Sequence, residues 1–392
     1  MAPLLFGDFW PARTTSRPAG RLTFVNLQAM RGVAALMVML VHAVWPIPPV
    51  RSTLLASVLD SVGPAGVDLF FVISGFIIAT VASFDGLGAS SRGRWRVARD
   101  FAIKRAIRIY PIYWIVFAAA SLILVVAPLV SLHPDWIKHR NPALLLLLAA
   151  LPNDRILAAW TLVYEVYFYA VAAVVVLLAP RHITGGLMIW FGGVGIAIAA
   201  GFAMGGTWIH HPVFSALIFE FMFGVVIALL LKRGVHAYGI QVLLLGGVSL
   251  LAGAYIVRLT GGWIPLTPWA RAFFLGLPSA LIIYGALALE LSRIWLMPRW
   301  LQRVGDASYA LYLTHQLLFA VMSAVCIYFG VFGNSGYAWF CVFAATGIGF
   351  GVLIHHRIEA PLHRWLGRLL LHRRVPTQSL TLPPQQVDRF AA

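Results

Sequence analysis

The chain has 392 residues, of which 61% are hydrophobic and 11% charged, and it carries a formal net charge of +16. Soluble domains hold about 25% charged residues, so a single large water-soluble enzyme is excluded. Apolar stretches near the roughly 20 residues that cross a hydrocarbon core recur along the whole length.

Residues 1–25 contain Pro3, Pro11 and Pro18 and no sustained apolar core, so they read as a cytoplasmic segment rather than a cleaved signal peptide. Ten spans follow, at 28–46, 64–83, 107–128, 157–179, 184–203, 213–231, 238–257, 270–291, 307–330 and 336–355. The apolar piece 142–152 is too short to cross and reads as re-entrant or interfacial. The loop 85–106 starts flexible and ends with arginines and apolar residues interleaved at helical spacing. These spans predict an all-α, polytopic membrane bundle of about ten transmembrane helices, with one membrane domain over 26–358. In the tail, 359–392, "APLHRWLGRLLLHRR" is an amphipathic segment suited to the anionic inner leaflet, and "PTQSLTLPPQQ" reads as disordered.

With the N-terminus inside, 23 of the 29 Lys and Arg residues fall on the inner side, and the others are Arg51, Lys138, Arg140, Arg155, Arg258 and Arg271. This bias is the positive-inside pattern of a chain with both ends in the cytoplasm. The basicity therefore reports topology, and nucleic acid is not an expected partner. The two cysteines, Cys326 and Cys341, lie inside spans, so neither a disulfide framework nor a cysteine metal site is expected.

The first span, "MRGVAALMVMLVHAVW", places Arg31 and His42 eleven residues apart in an otherwise apolar run. At about 100° per residue eleven steps return almost to the starting direction, so on a helix both point the same way, roughly 16 Å apart. Titratable groups inside a bilayer are costly unless paired or hydrated, which makes them functional candidates by default. The others in the spans are Asp68, Glu165, Glu220 and His315, with Asp306 just before the ninth span. By depth, His42, Asp68 and Glu165 lie toward the outer side, Arg31, Asp306 and the loop arginines lie inside, and His315 sits between.

This arrangement suggests a site reaching across the membrane. A neutral histidine can take a proton from an acceptor hydroxyl, and a carboxylate can orient it and stabilise the imidazolium. Inner arginines suit a phosphate-bearing donor, because their planar forks match phosphate oxygens. Each feature also has a structural reading: a helix-to-helix hydrogen bond for His42 or His315, a headgroup-seeking anchor for Arg31, topology for 92–108, and a buried structural acid for Glu220.

Seven stretches together resemble the acyltransferase-3 family of integral membrane O-acyltransferases, most nearly its exopolysaccharide-modifying branch. They are "NLQAMRGVAALMVMLVHA", "GVDLFFVISGFII", "KRAIRIYPIYW", "WTLVYEVYFYA", "FEFMFGVVIA", "GDASYALYLTH" and "IEAPL", in family order over almost the whole chain. The family's arginine, ten residues, histidine pattern falls on Arg31 and His42. The resemblance implies His42 as the catalytic residue, acetyl-CoA as a cytoplasmic acyl donor, an extracytoplasmic or lipid-linked glycan as acceptor, and a place in the bacterial inner membrane.

On this reading Arg31, Arg105 and Arg108 hold the nucleotide end of acetyl-CoA, and the pantetheine arm threads up to bring the thioester beside His42. Asp306 and Ser308, with Tyr309, hold the donor mouth. Glu165 or Asp68 fixes the tautomer of His42, a choice the sequence leaves open together with a transient acyl-histidine. Ser74, Tyr164, Tyr309 and Tyr312 are candidate oxyanion donors, and His315 is a further candidate. The rival readings are a carrier or flippase, or an acyltransferase for a lipid, a macrolide-like small molecule or a protein. The outer loops "IKHRN" and "TWIHHP" are candidate sugar contacts or ordinary interfacial residues, and a homo-oligomer is compatible with the sequence.

Overall fold

The computed structural model describes residues 24–84, 93–126, 146–147, 157–206, 212–259, 267–333 and 335–371. The two outer-loop stretches, apart from Pro212, the segment 142–152 except 146–147, and the tail beyond 371 lie outside the described residues. Among the described residues the chain is helical, without a strand.

Helix α1 (Val25–Val44) is followed by two short helices, α2 (Pro48–Arg51) and α3 (Leu54–Val62), and then by α4 (Ala65–Phe84). The next, α5 (Arg94–Val126), has 33 residues, so it begins 13 residues before the expected span and turns the arginine-rich end of the loop into its own first turns. Helices α6 (Trp160–Leu178), α7 (Ile183–Met204), α8 (Ile218–Lys232) and α9 (Gly239–Leu259) follow. Then come α10 (Pro268–Arg271), a π-helical turn at Ala272–Gly276, and α11 (Leu277–Leu291). Helix α12 (Arg299–Asp306) leads into α13 (Ser308–Tyr328), and α14 (Gly336–Ile354) runs through a second π-helical turn, His355–Glu359, into α15 (Ala360–Leu370).

Nine helical stretches among the described residues are long and apolar enough to cross a bilayer. The sixth expected span is the shorter α8, whose 15 residues rise about 22 Å. The expected amphipathic tail helix is α15, which continues from α14 and buries Ala360 and His363.

Helix α1 is the centre of the bundle and packs against α4, α11, α12, α13 and α14. Its first turn has no cap from its own sequence. The Glu290 carboxylate of α11 supplies one instead, accepting from the backbone N–H groups of Val25 and Asn26 at 2.7 Å each. An anion at a helix N-terminus meets both unpaired N–H groups and the positive end of the helix dipole. Asn26 completes the clamp, donating to the carbonyl of Ala286 (2.8 Å) and accepting from the N–H of Met297 (2.8 Å).

Small residues let the helices approach closely, the usual packing device where lipid supplies no hydrophobic drive between helices. At the α4 and α8 contact, a Cβ on Gly75 would lie 2.0 Å from the carbonyl oxygen of Phe221, and one on Gly224 would lie 2.0 Å from that of Val72. Both are backbone atoms that cannot step aside. Gly224→Val is therefore expected to lower the melting temperature in detergent, at a cost of at least about 1–3 kcal/mol. Gly193→Ala, whose Cβ would meet nothing within 4 Å, is expected to leave it unchanged. Thermal unfolding followed by circular dichroism checks both.

Candidate active site

Five helices, α1, α4, α5, α6 and α13, line one cavity that holds the expected donor-side residues other than Asp306. Arg31 of α1, Arg105 and Arg108 of α5, and Glu165 of α6 line it together with Ser74, Tyr169, Ser308 and Tyr309. Phe70, Phe71 and Tyr312 close its apolar side, and the space open to the centres of water-sized molecules is about 40 Å³.

Arg31 points into the bundle rather than toward the headgroups. It is 4% exposed, donating through Nη2 to Ser308 Oγ (2.9 Å) and through Nη1 to Gln28 Oε1 (3.1 Å). Gln28 in turn donates to Asp306 Oδ1 at 2.7 Å, so Asp306 acts on the mouth through Gln28. Burial raises the Asp306 carboxyl above its ordinary value, against the pull of Arg31.

Arg105 and Arg108 are three residues apart, hence neighbours on one face of α5. The Arg105 guanidinium carbon lies 5.3 Å from the ring centres of both Phe101 and Tyr169. Its buried Nε has no hydrogen-bond partner among the described residues. Glu165 accepts from Ser74 Oγ at 3.3 Å and from the hydroxyl of Tyr169.

The two histidines meet each other. His42 Nδ1 lies 2.7 Å from the carbonyl oxygen of Val38, and His315 Nδ1 lies 3.0 Å from that of Leu311. A carbonyl only accepts, so both rings carry their proton on Nδ1 and a lone pair on Nε2. His315 Nε2 sits 3.3 Å from His42 Nδ1, turning its lone pair toward that N–H. His42 Nε2 is thereby left as the basic nitrogen. The Tyr312 ring, one wall of the cavity, lies 6.2 Å from His315 and 5.6 Å from Phe70, so this aromatic pair borders the cavity on the side of the histidines.

Several expectations need correction. Asp68 does not orient His42: both its oxygens accept from Arg271, Oδ1 from Nε (3.1 Å) and Oδ2 from Nη2 (2.9 Å), in a buried bidentate pair. Arg271 also donates to the carbonyl of Pro64 and stacks over Trp160. Glu165 is held by Ser74 and Tyr169 in the arginine cavity, while the polar partners of His42 are Val38 and His315. The expected oxyanion donors are already committed. Tyr309 donates to the carbonyl of Ile109 (2.6 Å), Tyr312 to that of Ala158 (3.0 Å), and Ser74 to Glu165. Tyr164 packs against Phe71 and Trp160, away from the lining of the cavity. Glu220 is fully buried against Gly276 in the first π-helical turn.

Sequence reasoning passed over Gln28, Tyr169 and Arg271. An arginine at the start of an apolar span was the available signal for Arg271; nothing local marked the other two.

The acyltransferase-3 family model, described as an acyltransferase domain, matches residues 24–356. The chain belongs to this family. As a member of it, the protein is a multi-pass membrane acyltransferase. It is 30% identical over 326 residues to the exopolysaccharide production protein ExoZ of Rhizobium meliloti (strain 1021), covering 78% of this chain and 90% of that protein. It is 28% identical over 349 residues to the acyltransferase MdmB of Streptomyces mycarofaciens, covering 79% of this chain and 83% of that one. No solved structure matches the chain.

For this acyltransferase-3 protein the tautomers are directly observable. With 15N-labelled histidine in detergent at neutral pH, His42 and His315 are both expected to give the long-range 15N–1H pattern of the Nδ1–H form, assigned by single substitution. An Nε2–H pattern for His42 would contradict the geometry.

Proposed function

We propose that the protein transfers an acetyl group from cytoplasmic acetyl-CoA to a hydroxyl of an exopolysaccharide or its lipid-linked precursor, in a bacterial inner membrane with both chain ends inside. The observation that carries this reading is the cavity in which Arg31, Arg105 and Arg108 converge, with the buried Nε of Arg105 lacking a partner among the described residues. Planar guanidinium forks suit phosphate oxygens, and the donor is rich in them.

In this mechanism the phosphates rest on the three arginines and the pantetheine arm runs along α1 toward His42. The 11-residue separation of Arg31 and His42 on one helix amounts to roughly 16 Å, within the reach of that arm. His42 Nε2 takes the proton of the acceptor hydroxyl as its oxygen attacks the thioester carbon. The new C–O bond forms, the C–S bond breaks, and the proton passes from His42 to the leaving thiolate to give free CoA. The transient charge on His42 is shared through Nδ1–H with the Val38 carbonyl and His315 Nε2. Direct transfer needs no acyl-enzyme.

The glycan acceptor is supported by the similarity to a protein named for exopolysaccharide production.

Acetyl-CoA binding by calorimetry and thiol release in acceptor-bearing membranes test the proposal. Arg105→Gln is expected to weaken acetyl-CoA binding about tenfold or more, equivalent to about 1.4 kcal/mol, with the melting temperature unchanged. His42→Ala is expected to cut thiol release by about 10²–10⁴-fold with donor affinity kept within a few-fold. A wild type that binds no acetyl-CoA, or binds it without releasing thiol as a carrier would, overturns the assignment.

A further inference from the structure

Beyond His42, α1 ends in Trp45, which no step above uses. Trp45 follows His42 by three residues and so shares its face of the helix. The two rings lie 4.7 Å apart, edge to face at 67°. The indole N–H is tied to Asp60 of α3, Nε1 donating to Oδ1 at 2.9 Å. Arg51 donates to the backbone carbonyl of Trp45, pinning the turn itself. His42, Trp45 and Asp60 are all partly exposed, whereas His315 behind them is 1% exposed. This end of α1 is about 21 Å from Arg31, fourteen residues at 1.5 Å each.

We infer that Trp45 and Asp60 form the acceptor subsite, and that its ligand is a pyranose ring of a polyhydroxylated chain. The inference rests on the acyl-transfer reading of His42. A fixed indole offers a flat apolar face to the C–H face of a sugar, and its polar edge is already satisfied, so nothing there demands water. Trp45 uses Oδ1 of the Asp60 carboxylate, and Oδ2 can accept from a sugar hydroxyl. With both Asp60 and His42 against Trp45, a ring stacked on the indole would have the carboxylate and the imidazole as its neighbours. A lipid or other apolar acceptor would use the ring and leave the carboxylate idle, and the neighbouring carboxylate therefore favours a sugar.

The probe is the surface polysaccharide of the host cells, stripped of its esters with mild base, offered with radiolabelled acetyl-CoA to the full-length protein in nanodiscs. Trp45→Ala and Asp60→Asn are each expected to raise the KM for polysaccharide at least tenfold, with kcat changed less than threefold and acetyl-CoA affinity kept within twofold. Trp45→Phe, which keeps a ring but loses the bond to Asp60, is expected to fall between Trp45→Ala and wild type. An unchanged polysaccharide KM in folded Trp45→Ala and Asp60→Asn overturns the subsite. So does an equal loss of acetyl-CoA affinity, which would mark a structural role. A wild type that binds acetyl-CoA and hydrolyses it slowly, yet never labels the polysaccharide, overturns the sugar assignment and leaves the donor reading standing. A wild type that does not bind acetyl-CoA overturns both.

Discussion

A guanidinium inside an apolar bundle is tolerable only where its N–H groups are taken up, and the position of Arg31 is set by that requirement. Ser308 and Gln28 receive it, Gln28 is held by Asp306, and α12 and α13 are thereby drawn against the first half of α1. The close approach of backbones at Gly32 and Gly305 makes those short bonds reachable, since a Cβ on Gly305 would lie 1.9 Å from the carbonyl oxygen of Gln28. Once α1 is fixed at that end, the helix repeat places His42 on the same side, where α13 supplies His315.

The bundle holds two kinds of buried polar group. Asp68 and Arg271 form a buried bidentate pair, with a carbonyl and an aromatic face completing the shell around the guanidinium. Removing one partner would strand the other, at about 3–5 kcal/mol, which makes the pair a fastener between α4 and α10. In the arginine cavity three guanidinium groups face one carboxylate, and Arg105 keeps a buried donor without a partner among the described residues.

The sequence made some of this legible. Apolar run length located the membrane helices, helical periodicity put Arg31 and His42 on one face, and helical spacing of arginines and apolar residues was visible at the end of the 85–106 loop. Depth was readable because a helix rises evenly. Lateral neighbours were not, since they depend on how helices pack. His42 meets His315 across 273 residues, and Asp68 meets Arg271 across 203, so a carboxylate partner for His42 was a reasonable chemical expectation with nothing local to refute it. Short α8 and the early start of α5 escaped for a related reason: helix ends need not coincide with the edges of an apolar run, and α5 starts in the exposed, arginine-rich turn at Arg94 and Arg96.

The account centres on one path, from the arginine cavity past Phe70 and Tyr312 to the Nε2 side of His42. Electron cryo-microscopy of the protein with bound acetyl-CoA tests it most directly. The path predicts phosphate density within hydrogen-bonding distance of Arg31, Arg105 or Arg108, and the thioester sulfur on the histidine side of the Phe70 and Tyr312 rings. Density for the donor outside that cavity, or a thioester remote from His42, would contradict it.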